Sequence, residues 1–142
     1  MRKIHFFLLL TSLFFLAGCG GGGVKPVPVT GKVTLDGKDI SSFPNFMKGS
    51  VTFLSEKGSP AYGDIQPDGS FQMKTDNKPG VPAGSYKVTV RIISTEVPPS
   101  RFNDAEPVLL SAKKYNNEET SGLTREVPSG GIKNMMLDIT SK

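Results

Sequence analysis

Ser85-Tyr-Lys-Val-Thr-Val-Arg-Ile-Ile93 decides the fold class. Tyr86, Val88, Val90 and Ile92 recur every second residue, with Lys87, Thr89 and Arg91 between them. A period of two sends alternate side chains to opposite faces of a strand, so one face is apolar and the other polar. Valine, isoleucine, threonine and tyrosine also favour the extended backbone. The segment predicts a half-buried β-strand with Tyr86 in the core.

Shorter copies of the pattern flank it. Val33 and Leu35 alternate with Lys32 and Thr34, and Asp36-Gly37 then offers a dipeptide that accepts the positive φ of a hairpin turn. Val51 and Phe53 share a face, Tyr62 to Gln66 forms a brief strand, and Pro67-Asp68-Gly69-Ser70 signals a tight turn. Phe71, Met73 and Thr75 alternate with Gln72 and Lys74, and Met135, Leu137 and Ile139 alternate with Met136, Asp138 and Thr140. Val81-Pro82-Ala83-Gly84 is another turn cluster. The 16 glycines and 11 prolines punctuate the chain, and no long stretch carries a capped helical period. About seven short strands of this kind predict an all-β chain folded as a small antiparallel β-sandwich, residues 29–142. Thr95 to Tyr115, with Pro98-Pro99 and Leu109-Leu110, reads as a long loop with a helical turn near Leu109 to Lys114. A loop of that length is the first place to look for a partner site, or a solvated insertion.

The N-terminal part has a different composition. Met1-Arg-Lys-Ile-His5 is basic, and the run from Phe6 to Leu16 is apolar except at Thr11 and Ser12. That run is too short for a bilayer, which needs about 20 apolar residues, and suits a secretory signal. Leu16-Ala17-Gly18-Cys19 follows, and it resembles the bacterial lipobox. The resemblance implies a cleaved signal peptide over residues 1–18, a diacylglyceryl group on Cys19, and attachment to a membrane by buried acyl chain. Gly20, where an aspartate would resemble an inner-membrane retention signal, favours the outer membrane. The alternatives are a soluble secreted protein and an uncleaved leader. Gly20 to Gly23 and Val24-Lys25-Pro26-Val27-Pro28 complete a flexible, then extended, tether over residues 19–28.

Charge and residue counts exclude several functions. The net charge of +4 falls to +2 once Arg2 and Lys3 leave with the leader, and the remaining basic residues are dispersed. That is no nucleic-acid footprint. The single cysteine excludes an internal disulfide. His5 is the only histidine and belongs to the leader, so the domain lacks imidazole for general-base, triad or zinc chemistry. No cofactor or metal is expected. Glu56, Asp64 and Asp68 are the acids that could gather at one sheet end as a glycosidase-like acid pair, and Asp64 and Asp68 with backbone carbonyls could form a calcium site. The plainer reading places Asp36 and Asp68 in turns and Glu56 at a strand end. Tyr62 and Tyr115 are expected to be exposed. Phe43, Phe46 and Phe102 fall in loops, and Phe43-Pro-Asn-Phe46-Met47 either packs over a sandwich edge or forms a small recognition patch.

Three segments in order carry a wider resemblance: Val29 to Lys38 (VTGKVTLDGK), Asp64 to Phe71 (DIQPDGSF) and Pro82 to Val90 (PAGSYKVTV). Together they resemble carboxypeptidase regulatory-like domains, whose fold is a transthyretin-like β-sandwich. Lys114-Tyr115, Thr120 to Thr124 and the last strand are similar to the form in small planctomycete lipoproteins. The likeness runs from Val29 to Ile139, with a longer first connection over Asp39 to Gly49. It implies no catalytic residues. The expected function is a membrane-anchored envelope lipoprotein with a non-enzymatic module for structural or protein–protein contact. The alternatives are a ligand-binding module for glycan or calcium and, more remotely, an acid-pair hydrolase.

Overall fold

The structure is a computed structural model, and it describes residues 25–96 and 106–142. Its strands are β1 (Val29–Leu35), β2 (Lys38–Asp39), β3 (Phe46–Leu54), β4 (Ala61–Ile65), β5 (Ser70–Gln72), β6 (Lys74–Thr75), β7 (Lys78–Pro79), β8 (Gly84–Ser94), β9 (Leu123–Val127) and β10 (Ile132–Ile139). They form a six-stranded antiparallel sheet in the order β7-β6-β4-β3-β8-β9 and a four-stranded sheet built around β1. The described residues form an all-β sandwich.

Local chemistry explains the turns. Asp36 and Gly37 have φ of 52° and 71° and join β1 to β2 as a two-residue loop. Both central residues of such a turn need positive φ, which matches the right-handed twist of the strands. Asp76 and Asn77, at 49° and 63°, repeat the device between β6 and β7. The short side chains of Asp and Asn tolerate this region better than others do.

β8 behaves as its alternation predicts. Tyr86, Val88, Val90 and Ile92 are buried, while Lys87 and Arg91 face solvent. Opposite them, β1 contributes Val29, Val33 and Leu35, and β10 contributes Met135, Leu137 and Ile139. Phe53 is fully buried, and its ring centroid lies 5.7 Å from that of Tyr86. Each such side chain contributes about 1.5–3 kcal/mol when fully buried. Among the described residues, every buried side-chain nitrogen or oxygen has a hydrogen-bond partner.

Several features depart from the sequence-based expectation. β1 and β10 pair in parallel, so the antiparallel rule holds throughout the larger sheet but not here. The first and last strands run the same way because over ninety residues separate them, and no hairpin constrains their sense. The other edge of β1 is shared: β5 pairs with Thr30 to Lys32 and β2 with Thr34 and Leu35. Met73 links β5 to β6, and at this fully buried residue one extended segment leaves the first sheet and joins the second. Asp39 to Gly49 is not a simple loop. It holds the end of β2, a single 3-10 turn over Ile40–Ser42 and the start of β3, with Ile40 in the core.

The region from Thr95 to Tyr115 is also more regular than expected where it is described. Ser94 donates its N–H to the Val108 carbonyl and Leu110 to that of Ile92, so residues 108–110 run along β8 beyond β9. The expected helical turn falls slightly later, as a 3-10 turn over Lys113–Asn116. Tyr115, expected to be exposed, is only 6% exposed. That turn lies against β8 and carries the ring inward, with its hydroxyl 3.5 Å from Thr140 Oγ1. Phe43 and Phe46 pack half-buried against the core, whereas Phe102 lies outside the described residues.

Candidate functional site

An open groove of about 960 Å³ lies above the place where β5 and β6 change sheets. Its origin is local. β4 pairs with β6 through Ala61 and Tyr62, and the ladder stops at Gly63. A Cβ at Gly63 would sit 2.8 Å from Met73 Sδ and 3.1 Å from the Gln72 carbonyl oxygen. A side chain here would displace Met73 and crowd the Gln72 carbonyl, so glycine eases the close crossing of the two strands. Beyond the crossing they meet again at the turn, where Gln66 N–H donates to the Ser70 carbonyl.

The alternation along each strand supplies the lining. Tyr62, Asp64 and Gln66 project from the outer side of the β4 segment, and Ser70, Gln72 and Lys74 do so from the crossing segment. Ser59 and Pro60 border the groove in the connection before β4, and Asp76 and Asn77 border it in the turn after β6. The first sheet adds Thr30, Gly31 and Asn134. Phe71 also touches the groove but is only 3% exposed, so it acts as floor. Tyr62, at 55% exposed, is the one large apolar surface there. Asn134 reaches the groove from a bulge in β10, where the pairing slips by one residue and its φ is 58°.

The three acids singled out from the sequence are not gathered into one site. Asp64 lines the groove. Asp68 caps its own turn, accepting from Ser70 N–H at 2.9 Å and Ser70 Oγ at 2.6 Å. These bonds hold the Asp68 carboxyl below the usual aspartate value. Glu56 lies past the end of β3 in a separate depression with Leu54, Lys87 and Glu126. Asp64 pairs with Ser50, four residues before Leu54, which is about 13 Å along the strand. Glu56 therefore does not pair with Asp64, and the Asp68 carboxylate is engaged by its own turn. Among the described residues, no three Asp, Glu, His or Cys side chains form a group that could hold a metal ion.

Asp36 is also a turn residue. Its carboxylate accepts the Ser141 N–H at 3.0 Å, tying the segment after β10 to the first hairpin and lowering its own pKa. Tyr62 is exposed as the sequence indicates. Sequence reading did not identify Gln66, Gln72, Asn77 and Asn134 as groove residues. Alternation does place Gln72 on a polar face, but nothing local brings Asn134 beside it.

Cys19 and the whole leader lie outside the described residues. No helix among the described residues is long and apolar enough to cross a membrane. No family model, curated protein or solved structure matches the chain.

Proposed function

We propose that this chain is a bacterial cell-envelope lipoprotein, anchored through acyl chains on Cys19, whose sandwich is a non-enzymatic interaction module of transthyretin-like type. The observation that carries the reading is the order of a basic start, the short apolar run from Phe6 to Leu16, and Leu16-Ala17-Gly18-Cys19. Gly20 after the cysteine supports the outer membrane as the site of attachment.

The entry of the chain into the sandwich supports the same reading. Val27 forms a bridge with Val81, and the Pro28 carbonyl accepts the Ile132 N–H, so the tether is fastened at the end where β1 and β10 begin. The six residues from Cys19 to Val24 span at most about 20 Å. Acyl burial at the sulfur, at about 0.8 kcal/mol per CH₂, would therefore keep that end close to the headgroups. The opposite end, with the Asp36-Gly37 turn, the Pro67 to Gly69 turn and residues 106–111, then points toward the envelope. Confinement of this kind raises the effective concentration of the module toward its neighbours, so weak contacts suffice.

The test is the mass of the native product together with the behaviour of Cys19→Ser. The expected product starts at residue 19 with added lipid mass, and the variant leaves the membrane fraction or stalls unprocessed. An unmodified terminus, or a variant that still fractionates with membranes, refutes the anchor.

A further inference from the structure

The groove above the strand crossing has a composition that the anchoring role does not use. Four carboxamides converge on it: Gln66, Gln72, Asn77 and Asn134. Each offers both a donor and an acceptor in one plane. Hydroxyls of Thr30 and Ser59 add more of the same capacity, and the Ser70 hydroxyl, which donates to Asp68, adds an acceptor. Asp64 and Asp76 outweigh Lys74, so the lining has a slight negative charge. Tyr62 supplies an exposed aromatic ring, a rigid apolar surface held at low entropic cost.

We infer that this groove is a binding site for an uncharged saccharide chain. Polyhydroxylated rings present many neutral donors and acceptors, which planar amides and carboxylates match in pairs, and an apolar C–H face, which stacks on an aromatic ring. The surplus of acid disfavours phosphate, sulfate and nucleic acid, which seek basic clusters. The groove's volume lies within the range of small-molecule sites, and it opens to solvent. An open site of this kind can hold part of a saccharide chain while the rest extends beyond it. Tyr62, Asp64 and Gln66 come from one strand, and Gln72 and Lys74 from the next, so rigid ladders position the contacts on either side. The site stands independently of the lipid anchor, since none of its residues belongs to the tether.

The experiment titrates the full chain, processed in a bacterial host and purified in a detergent without a sugar headgroup. Calorimetry is run with chitohexaose, cellohexaose and a sulfated heparin hexasaccharide. Saturable binding of either neutral hexasaccharide is expected, weakened about tenfold or more by Tyr62→Ala and also reduced by Gln72→Ala. Both side chains are exposed, so unfolding midpoints should match the parent, and Met136→Ala, on an exposed position outside the groove, should bind normally. A preference for chitohexaose would add that the carboxamides read N-acetyl groups. Three results overturn the inference: no saturable binding of either neutral chain, binding of the sulfated chain alone, or neutral-chain binding untouched by both groove substitutions.

Discussion

Replacing Gly31 by alanine tests the arrangement around β1 more sharply than any polar substitution. Gly31 sits in mid-strand, opposite Met135 of β10 on one side and Phe71 of β5 on the other. An added Cβ would drive into the Met135 carbonyl oxygen and lie 2.5 Å from Phe71 Cζ and 2.8 Å from Cε1. The Phe71 ring has some freedom to tilt. The Met135 carbonyl belongs to the parallel ladder that joins the first strand to the last and cannot move without breaking it. Overpacking a core costs about 1–3 kcal/mol, and a backbone collision puts Gly31→Ala at about 2–3 kcal/mol. A domain of roughly 120 residues unfolds with an entropy near 0.25 kcal/mol/K, so the melting midpoint should fall by about 8–12 °C. The assay is thermal unfolding followed by far-UV circular dichroism, with urea unfolding to check that the m-value is unchanged. Gly130→Ala is the control, because a Cβ there meets nothing within 4 Å, and it should stay within about 0.5 kcal/mol. A Gly31→Ala midpoint equal to that of the parent would refute the close packing of β10, β1 and β5.

Further outcomes follow from named contacts. Tyr86→Phe removes the 2.8 Å bond from its hydroxyl to the Pro82 carbonyl but keeps the ring against Phe53. It should cost about 0.5–1.5 kcal/mol, or about 2–6 °C, whereas Tyr86→Ala should cost about 3–5 kcal/mol; equal effects of the two would mean that the ring is not packed. The Asp36 and Asp68 carboxyls are held below their ordinary value by bonds from Ser141 and Ser70. The unfolded chain therefore binds more protons as pH drops below about 4, and this part of the stability is complete above that range and lost as pH falls through the folded values. Unfolding midpoints measured from pH 5 to pH 2 should decline, and Asp68→Asn should flatten the decline; an unchanged slope would show that the Ser70 bonds do not stabilise the ionised form.

The sequence by itself determined which residues face the core and where the chain turns. Period-two alternation in β8 and β10 marks inward positions because a strand's geometry allows nothing else, and Asp36-Gly37 needs only local φ preferences to reverse the chain. The same reading put Tyr86 inside and Tyr62 outside, and it found Asp68 in its turn. It missed β9, whose Leu-Thr-Arg-Glu-Val run carries only a weak apolar signal. Tertiary structure alone decided the neighbours. Alternation names a face but not a partner, so the parallel joining of β1 to β10, the change of sheet at Met73 and the burial of Tyr115 depend on contacts between distant segments. The groove belongs to that second class. Tyr62 and Gln72 are outward residues of two strands, but Asn134 reaches them only because a bulge in the last strand lies beside a crossing between sheets.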